Sequence, residues 1–153
     1  MGTEANQAED HTQLETTPDH VDALLEAARY DDIDDIRSLA SAGVSLESKD
    51  SLGRTALHMA SANGHLDVVE YLINQGVDLN ACNEEKNTPL HWACLNGRIE
   101  VVKKLILSGA NLSILNCHEH TPVDEAVIQG KRDVLDAINE AVAQLELAGA
   151  QVS

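Results

Sequence analysis

Thr55-Ala56-Leu57-His58-Met59-Ala60 returns 33 residues later as Thr88-Pro89-Leu90-His91-Trp92-Ala93, and in altered form as Thr121-Pro122-Val123-Asp124-Glu125-Ala126. Other residues keep the same interval. Gly64, Gly97 and Gly130 share it, as do Gly43, Gly76 and Gly109, while Ala27, Ala60, Ala93 and Ala126 carry it through four units. A fixed period held by several residue types in one register marks a repeat architecture. In such an array each unit is one supersecondary piece that buries its face only against its neighbours.

Within a unit the pattern predicts turn, short helix, tight turn, second helix, loop. Thr55 and Thr88 stand where a side-chain oxygen caps the free N–H groups of a first helix turn. Pro89 falls at the first helical position, where it has no hydrogen bond to lose. Gly64, Gly97 and Gly130 supply the turn between helices. Val68-Val69 with Leu72-Ile73, and Val101-Val102 with Leu105-Ile106, form one buried stripe at helical spacing. Gly76 and Gly109 then close the second helices.

These residues resemble the ankyrin-repeat family. The Thr-Pro-Leu-His box, the glycine turn, the Val-Val-x-x-Leu-Ile stripe and the closing Gly-Ala or Gly-Val are all present. The resemblance implies an all-α solenoid of four helix pairs with short turn tips. Its repeats would span about 22–48, 50–81, 83–114 and 116–148. Asp22 takes the capping position of the first repeat, and Asp31 replaces its turn glycine. In the last repeat Val142 stands for the closing glycine, so the final helix is expected to run on to about Ala148. In this family the histidine of the box bonds backbone of the next unit, so His58 and His91 are expected to be structural.

Composition agrees with stacked helices of small aliphatic residues. Aromatic residues make up 2% of the 153-residue chain, with one Trp, two Tyr and no Phe, so Ala, Leu, Ile and Val must fill the core. The formal net charge is −16, from 10 Lys and Arg against 26 Asp and Glu. Phosphate backbones and anionic lipid surfaces repel such a chain, so neither nucleic acid nor membrane is an expected partner. A basic partner is attracted, and solubility alone is the other reading of the charge. Residues 1–18 read as a disordered acidic arm without the features of a signal or transit peptide. The ankyrin-repeat domain then occupies 19–148 and a tail 149–153. The expected setting is cytoplasmic, nuclear or both, and the expected state is a monomer.

No motif for catalysis or for a cofactor occurs: no nucleophile elbow, no phosphate-cradling glycine loop. Three cysteines, Cys82, Cys94 and Cys117, with no paired spacing argue against a disulfide framework. Cys117-His118-Glu119-His120 lacks further ligands at zinc spacing, so no metal is expected. The protein is therefore read as a non-enzymatic protein–protein interaction module. Within the family, Thr55-Ala56-Leu57-His58-Met59-Ala60 and Leu90-His91-Trp92-Ala93 are similar to successive repeats of a fungal chaperone of a small-subunit ribosomal protein. That likeness implies a chaperone or adaptor for a basic, ribosomal-type client. The alternatives are a regulatory subunit of an enzyme complex and a general scaffold without a dedicated client.

The candidate partner-binding residues lie on the inner helices and the tips. Met59 and Trp92 hold the same register position, and Leu95 shares a helix face with Trp92. Either these pack between units or they form an exposed apolar strip. Asn63, Asn96 and Glu125 are placed on the same inner face. The tips contribute Leu52 and Arg54, then Glu84, Glu85 and Asn87, then His118 and His120. Variation there fits partner selection by tips carried on a constant scaffold, or plain exposed loop.

Overall fold

The computed structural model describes residues 16–149, and among them there are eight α-helices and no strand. They are α1 (Pro18–Arg29), α2 (Ile33–Ser41), α3 (Ala56–Asn63), α4 (Leu66–Asn74), α5 (Pro89–Leu95), α6 (Ile99–Leu107), α7 (Pro122–Ile128) and α8 (Arg132–Leu147). Helices α1, α3, α5 and α7 stack side by side as an inner row, and α4, α6 and α8 pack in sequence as the outer row. The acidic arm expected over residues 1–18 lies outside the described residues as far as residue 15.

Each inner helix starts from a reciprocal capping box. Thr55 accepts from the His58 backbone N–H, while His58 accepts from the Thr55 N–H; Thr88 and His91 do the same. In the last unit Asp124 replaces the histidine and closes the same box with Thr121. The first unit departs from the expected register. Its cap is Thr17, boxed with His20, and Asp22 lies inside α1 rather than at its start. The helix is 12 residues long, against 8 and 7 for α3 and α5, so its cap sits five residues earlier than the 33-residue period places it. Asp31 does take the left-handed turn position, with φ 64°. The final helix, with Val142 where the earlier units have their closing glycine, runs 16 residues to Leu147 and ends ahead of Gly149, which is left-handed at φ 80°.

The core is one continuous aliphatic cluster. Leu24, Leu57, Leu90, Val68, Val69, Leu72, Val102 and Leu105 are almost fully withdrawn from solvent, with Ala60, Ala93 and Ala126 letting the inner helices approach closely. Met59 belongs to this cluster at 4% exposure. It is a packing residue and is not offered to a partner: its flexible thioether chain fills the gap between units. One polar atom is out of place, the buried Ser61 Oγ in α3, which has no hydrogen-bond partner among the described residues.

Two substitutions test this packing by urea unfolding. Leu90→Ala should cost about 2–5 kcal/mol, the range for emptying a sealed leucine site; a loss below about 0.5 kcal/mol would refute the register. Ser61→Ala removes an unpaired hydroxyl and improves helix propensity, so it should stabilise the protein by about 1 kcal/mol.

Candidate functional site

The tips are built by one device used three times. In the first, Asp50 N–H donates to the Arg54 carbonyl at 3.0 Å and Gly53 N–H donates back to the Asp50 carbonyl at 2.9 Å. The Asp50 carboxylate accepts from the N–H groups of Leu52 and Arg54 at 3.0 and 2.9 Å. Asn83 does the same for Glu85 and Asn87, and Asn116 for His118 and His120. Asp50, Asn83 and Asn116 are 33 residues apart, so the period itself could have revealed them; the sequence reading passed them over for the more variable residues alongside. The fourth position of each turn is left-handed, at Gly53, Lys86 and Glu119. Glycine suits the first of these best, because a Cβ on Gly53 would crowd the Glu84 backbone nitrogen at 3.0 Å.

Successive tips are stitched into one ribbon. Glu84 N–H donates to the Leu52 carbonyl at 3.0 Å, and Cys117 N–H donates to the Glu85 carbonyl at 2.9 Å. Histidines brace the ribbon from below. His58 Nδ1 accepts from the Thr55 N–H, which puts the ring proton on Nε2, and that proton is donated to the Asn87 carbonyl at 2.8 Å. His91 repeats the bond to the His120 carbonyl at 2.9 Å. Both ring nitrogens of each are therefore committed to structure. Burial pushes His58 down to about 4, a shift that the bond to Asn87 only partly opposes. Burial lowers His91 as well.

Between the first two tips and α5 opens a recess of about 220 Å³, lined by Leu52, Arg54, Asn83, Glu84, Glu85 and Trp92. Five of the thirteen residues singled out from the sequence thus meet at one place. The Trp92 ring stands edge-on to His58, with centroids 5.3 Å apart and planes at 73°. Leu52 is half exposed at 50%. Arg54 is turned to Asp50, with Nη2 and Nε both 2.7 Å from the carboxylate. Burial raises the Asp50 carboxyl, but the Arg54 guanidinium and the N–H groups of Arg54 and Leu52 together outweigh this and hold it below its ordinary value. Glu84 and Glu85 are exposed, and their carboxylates have no ion pair or hydrogen bond among the described residues.

The other singled-out residues lie elsewhere. Asn87, His120 and Glu125 form a separate polar network around Asn116, whose amide donates to Asn87 at 2.9 Å and to Glu125 at 2.7 Å. His120 Nδ1 is 3.1 Å from the same Glu125 oxygen. Burial raises Glu125, but its Asn116 and His120 partners outweigh this and leave the carboxyl below the usual glutamate value. The His118 ring lies 6.1 Å from that of His120 at the third tip. No three His, Cys, Asp or Glu side chains converge as a metal site among the described residues. Asn63 and Asn96 sit at the far ends of α3 and α5, where their amides donate to the Met59 and Trp92 carbonyls, both at 2.8 Å. They serve the helix ends and stand apart from the recess. Leu95 is partly buried on α5. All three cysteines are free, and burial pushes the Cys94 thiol up to about 12.

A row of helix pairs that carries a braced ribbon of tips is a display scaffold: its constant residues hold the array while the variable ones face outward. The family model for ankyrin repeats, in three copies, matches residues 24–116 and 77–145, and the chain belongs to the ankyrin-repeat family. A comparison with curated proteins gives no match. Ankyrin repeats are protein–protein interaction modules. No helix among the described residues is long and apolar enough to cross a membrane.

The buried histidine gives the scaffold a pH signature. Unfolded, His58 titrates near 6.5; folded, it resists protonation until about 4. Its contribution is therefore complete above pH 6.5 and is lost progressively as pH falls towards 4. Between pH 7 and pH 5 the wild type should lose about 2 kcal/mol more than His58→Gln, measured by urea unfolding of both at each pH. Equal losses would show that the ring is not held neutral.

Proposed function

We propose that the protein is a non-catalytic chaperone or adaptor that holds a basic protein against its inner and tip face. The recess carries this reading: an indole and an exposed leucine lie beside two unpaired glutamates on a backbone ribbon that is already fixed. Apolar anchors set within a polar rim are the anatomy of an interface core. The net charge of −16 supports a cationic client, because opposite charge speeds encounter. The likeness of the repeats to a fungal chaperone of a small-subunit ribosomal protein supports a ribosomal-type client. The commitment of both ring nitrogens of His58 and His91 supports binding over proton-transfer chemistry.

Affinity capture from cell extract followed by mass spectrometry should yield one stoichiometric basic protein; a mixture of unrelated proteins would favour a general scaffold. Binding kinetics with that client at two salt concentrations then test the face. Trp92→Ala should raise koff by about 30-fold, as expected for a hot spot worth about 2 kcal/mol, and leave kon unchanged. The double change Glu84→Lys and Glu85→Lys should lower kon and flatten its salt dependence. If neither variant alters either rate, the client binds elsewhere.

A further inference from the structure

The recess between the first two tips is too small for a helix or a cofactor. Small-molecule sites run to roughly 300–1,000 Å³, and this one holds about 220 Å³, room for one long side chain. Its walls are fixed. The Leu52 carbonyl is bonded to the Glu84 N–H, the Glu85 N–H is held by the Asn83 side chain, and the Trp92 ring leans on His58. Little ordering cost therefore falls on binding.

The lining is of two kinds. Leu52 and Trp92 accept an aliphatic stem or a flat π surface. Glu84 and Glu85 offer carboxylates that nothing in the described chain neutralises. The one cation in the lining, Arg54, is already paired with Asp50 at 2.7 Å, so it leaves the two glutamates unsatisfied. A neutral aliphatic visitor would leave these charges unused, and an acidic one would be repelled.

We infer that the recess is a receptor for a single arginine side chain of the client, its stem against Leu52, its guanidinium against the Trp92 indole and its N–H fork on Glu84 and Glu85. This deepens the function proposed above and rests on it. Arginine is favoured over lysine because its planar guanidinium is weakly hydrated, stacks on aromatic rings and pairs with carboxylates through a fork. The tip ribbon then reads a basic sequence by inserting one of its residues, and the general acidity of the surface attracts the rest.

Trp92 is the only tryptophan of the chain, so its fluorescence reports this site alone. The full-length protein is titrated with argininamide, lysinamide and citrullinamide at constant ionic strength. N-acetyltryptophanamide serves as the control for collisional quenching. Argininamide should give a saturable change in the millimolar range. Citrullinamide, of the same shape without the charge, should bind about tenfold more weakly. The double variant Glu84→Gln and Glu85→Gln, exposed and harmless to folding, should weaken argininamide about fivefold. Leu52→Ser should weaken it as well. A linear response matching the control, or equal binding of all three amides, overturns the inference. So does equal binding of lysinamide, which would leave only a site for any cation. If argininamide fails while Trp92→Ala still loosens the captured client, the arginine assignment alone falls. If Trp92→Ala leaves the client complex untouched, the reading of the whole face falls with it.

Discussion

The bond from a histidine Nε2 to a carbonyl in the next tip is the constraint on which the molecule turns. A short helix of seven or eight residues is not stable alone, and a tip of four residues has no core of its own. The histidine settles both at once. Its Nδ1 takes up an N–H orphaned at the helix start, and its Nε2 reaches 29 residues ahead to the tip of the following unit. The bond works only with a neutral ring in one tautomer, and burial of His58 secures that state. Where the chain has Asp124 instead, the helix is still capped through the box with Thr121.

Second-helix starts add a weaker stitch in the opposite direction. His65 Nε2 is 2.7 Å from the Arg29 carbonyl, and Arg98 Nε donates to the Ala62 carbonyl at 2.9 Å. One set of bonds therefore ties each unit forward at the tips, and another ties it back at the inter-helix turns. On the outer row, Lys103 and Glu140 pair at 2.9 Å between α6 and α8. That pair is exposed and contributes little beside the aliphatic core.

Sequence alone was enough for the repeat, the caps at Thr55 and Thr88, the αL position of Asp31 and the run-on of the last helix, because each has a local chemical cause. The first cap was hidden. Thr17-Pro18-Asp19-His20 carries the same box as Thr88-Pro89-Leu90-His91, but five residues out of register and inside a polar stretch that reads as arm. Burial at the Met59 and Trp92 position was not legible either. The two share a register number, yet their fates follow side-chain shape, which no period encodes. Grouping at the site was the least visible: nothing in one dimension separates Glu84 and Glu85, left unpaired, from Glu125, taken up by Asn116 and His120.

Function on such a scaffold is written where the repeat departs from itself. The position before the register alanines Ala27, Ala60, Ala93 and Ala126 reads Glu26, Met59, Trp92 and Glu125 along the four units. Met59 is flexible enough to fold into the core, and Glu125 is claimed by its own tip. Trp92 is too large and too rigid to follow Met59 inward. It is propped on His58, the ring that braces the second tip, and this leaves part of the indole in the gap between the tips. The same histidine therefore holds the array together and presents its one tryptophan. On the function proposed above, a change at His58 would disturb stability and recognition together, whereas a change at the exposed Glu84 or Glu85 would leave the scaffold intact. That asymmetry is what a module needs if its partner is to change without the scaffold being rebuilt.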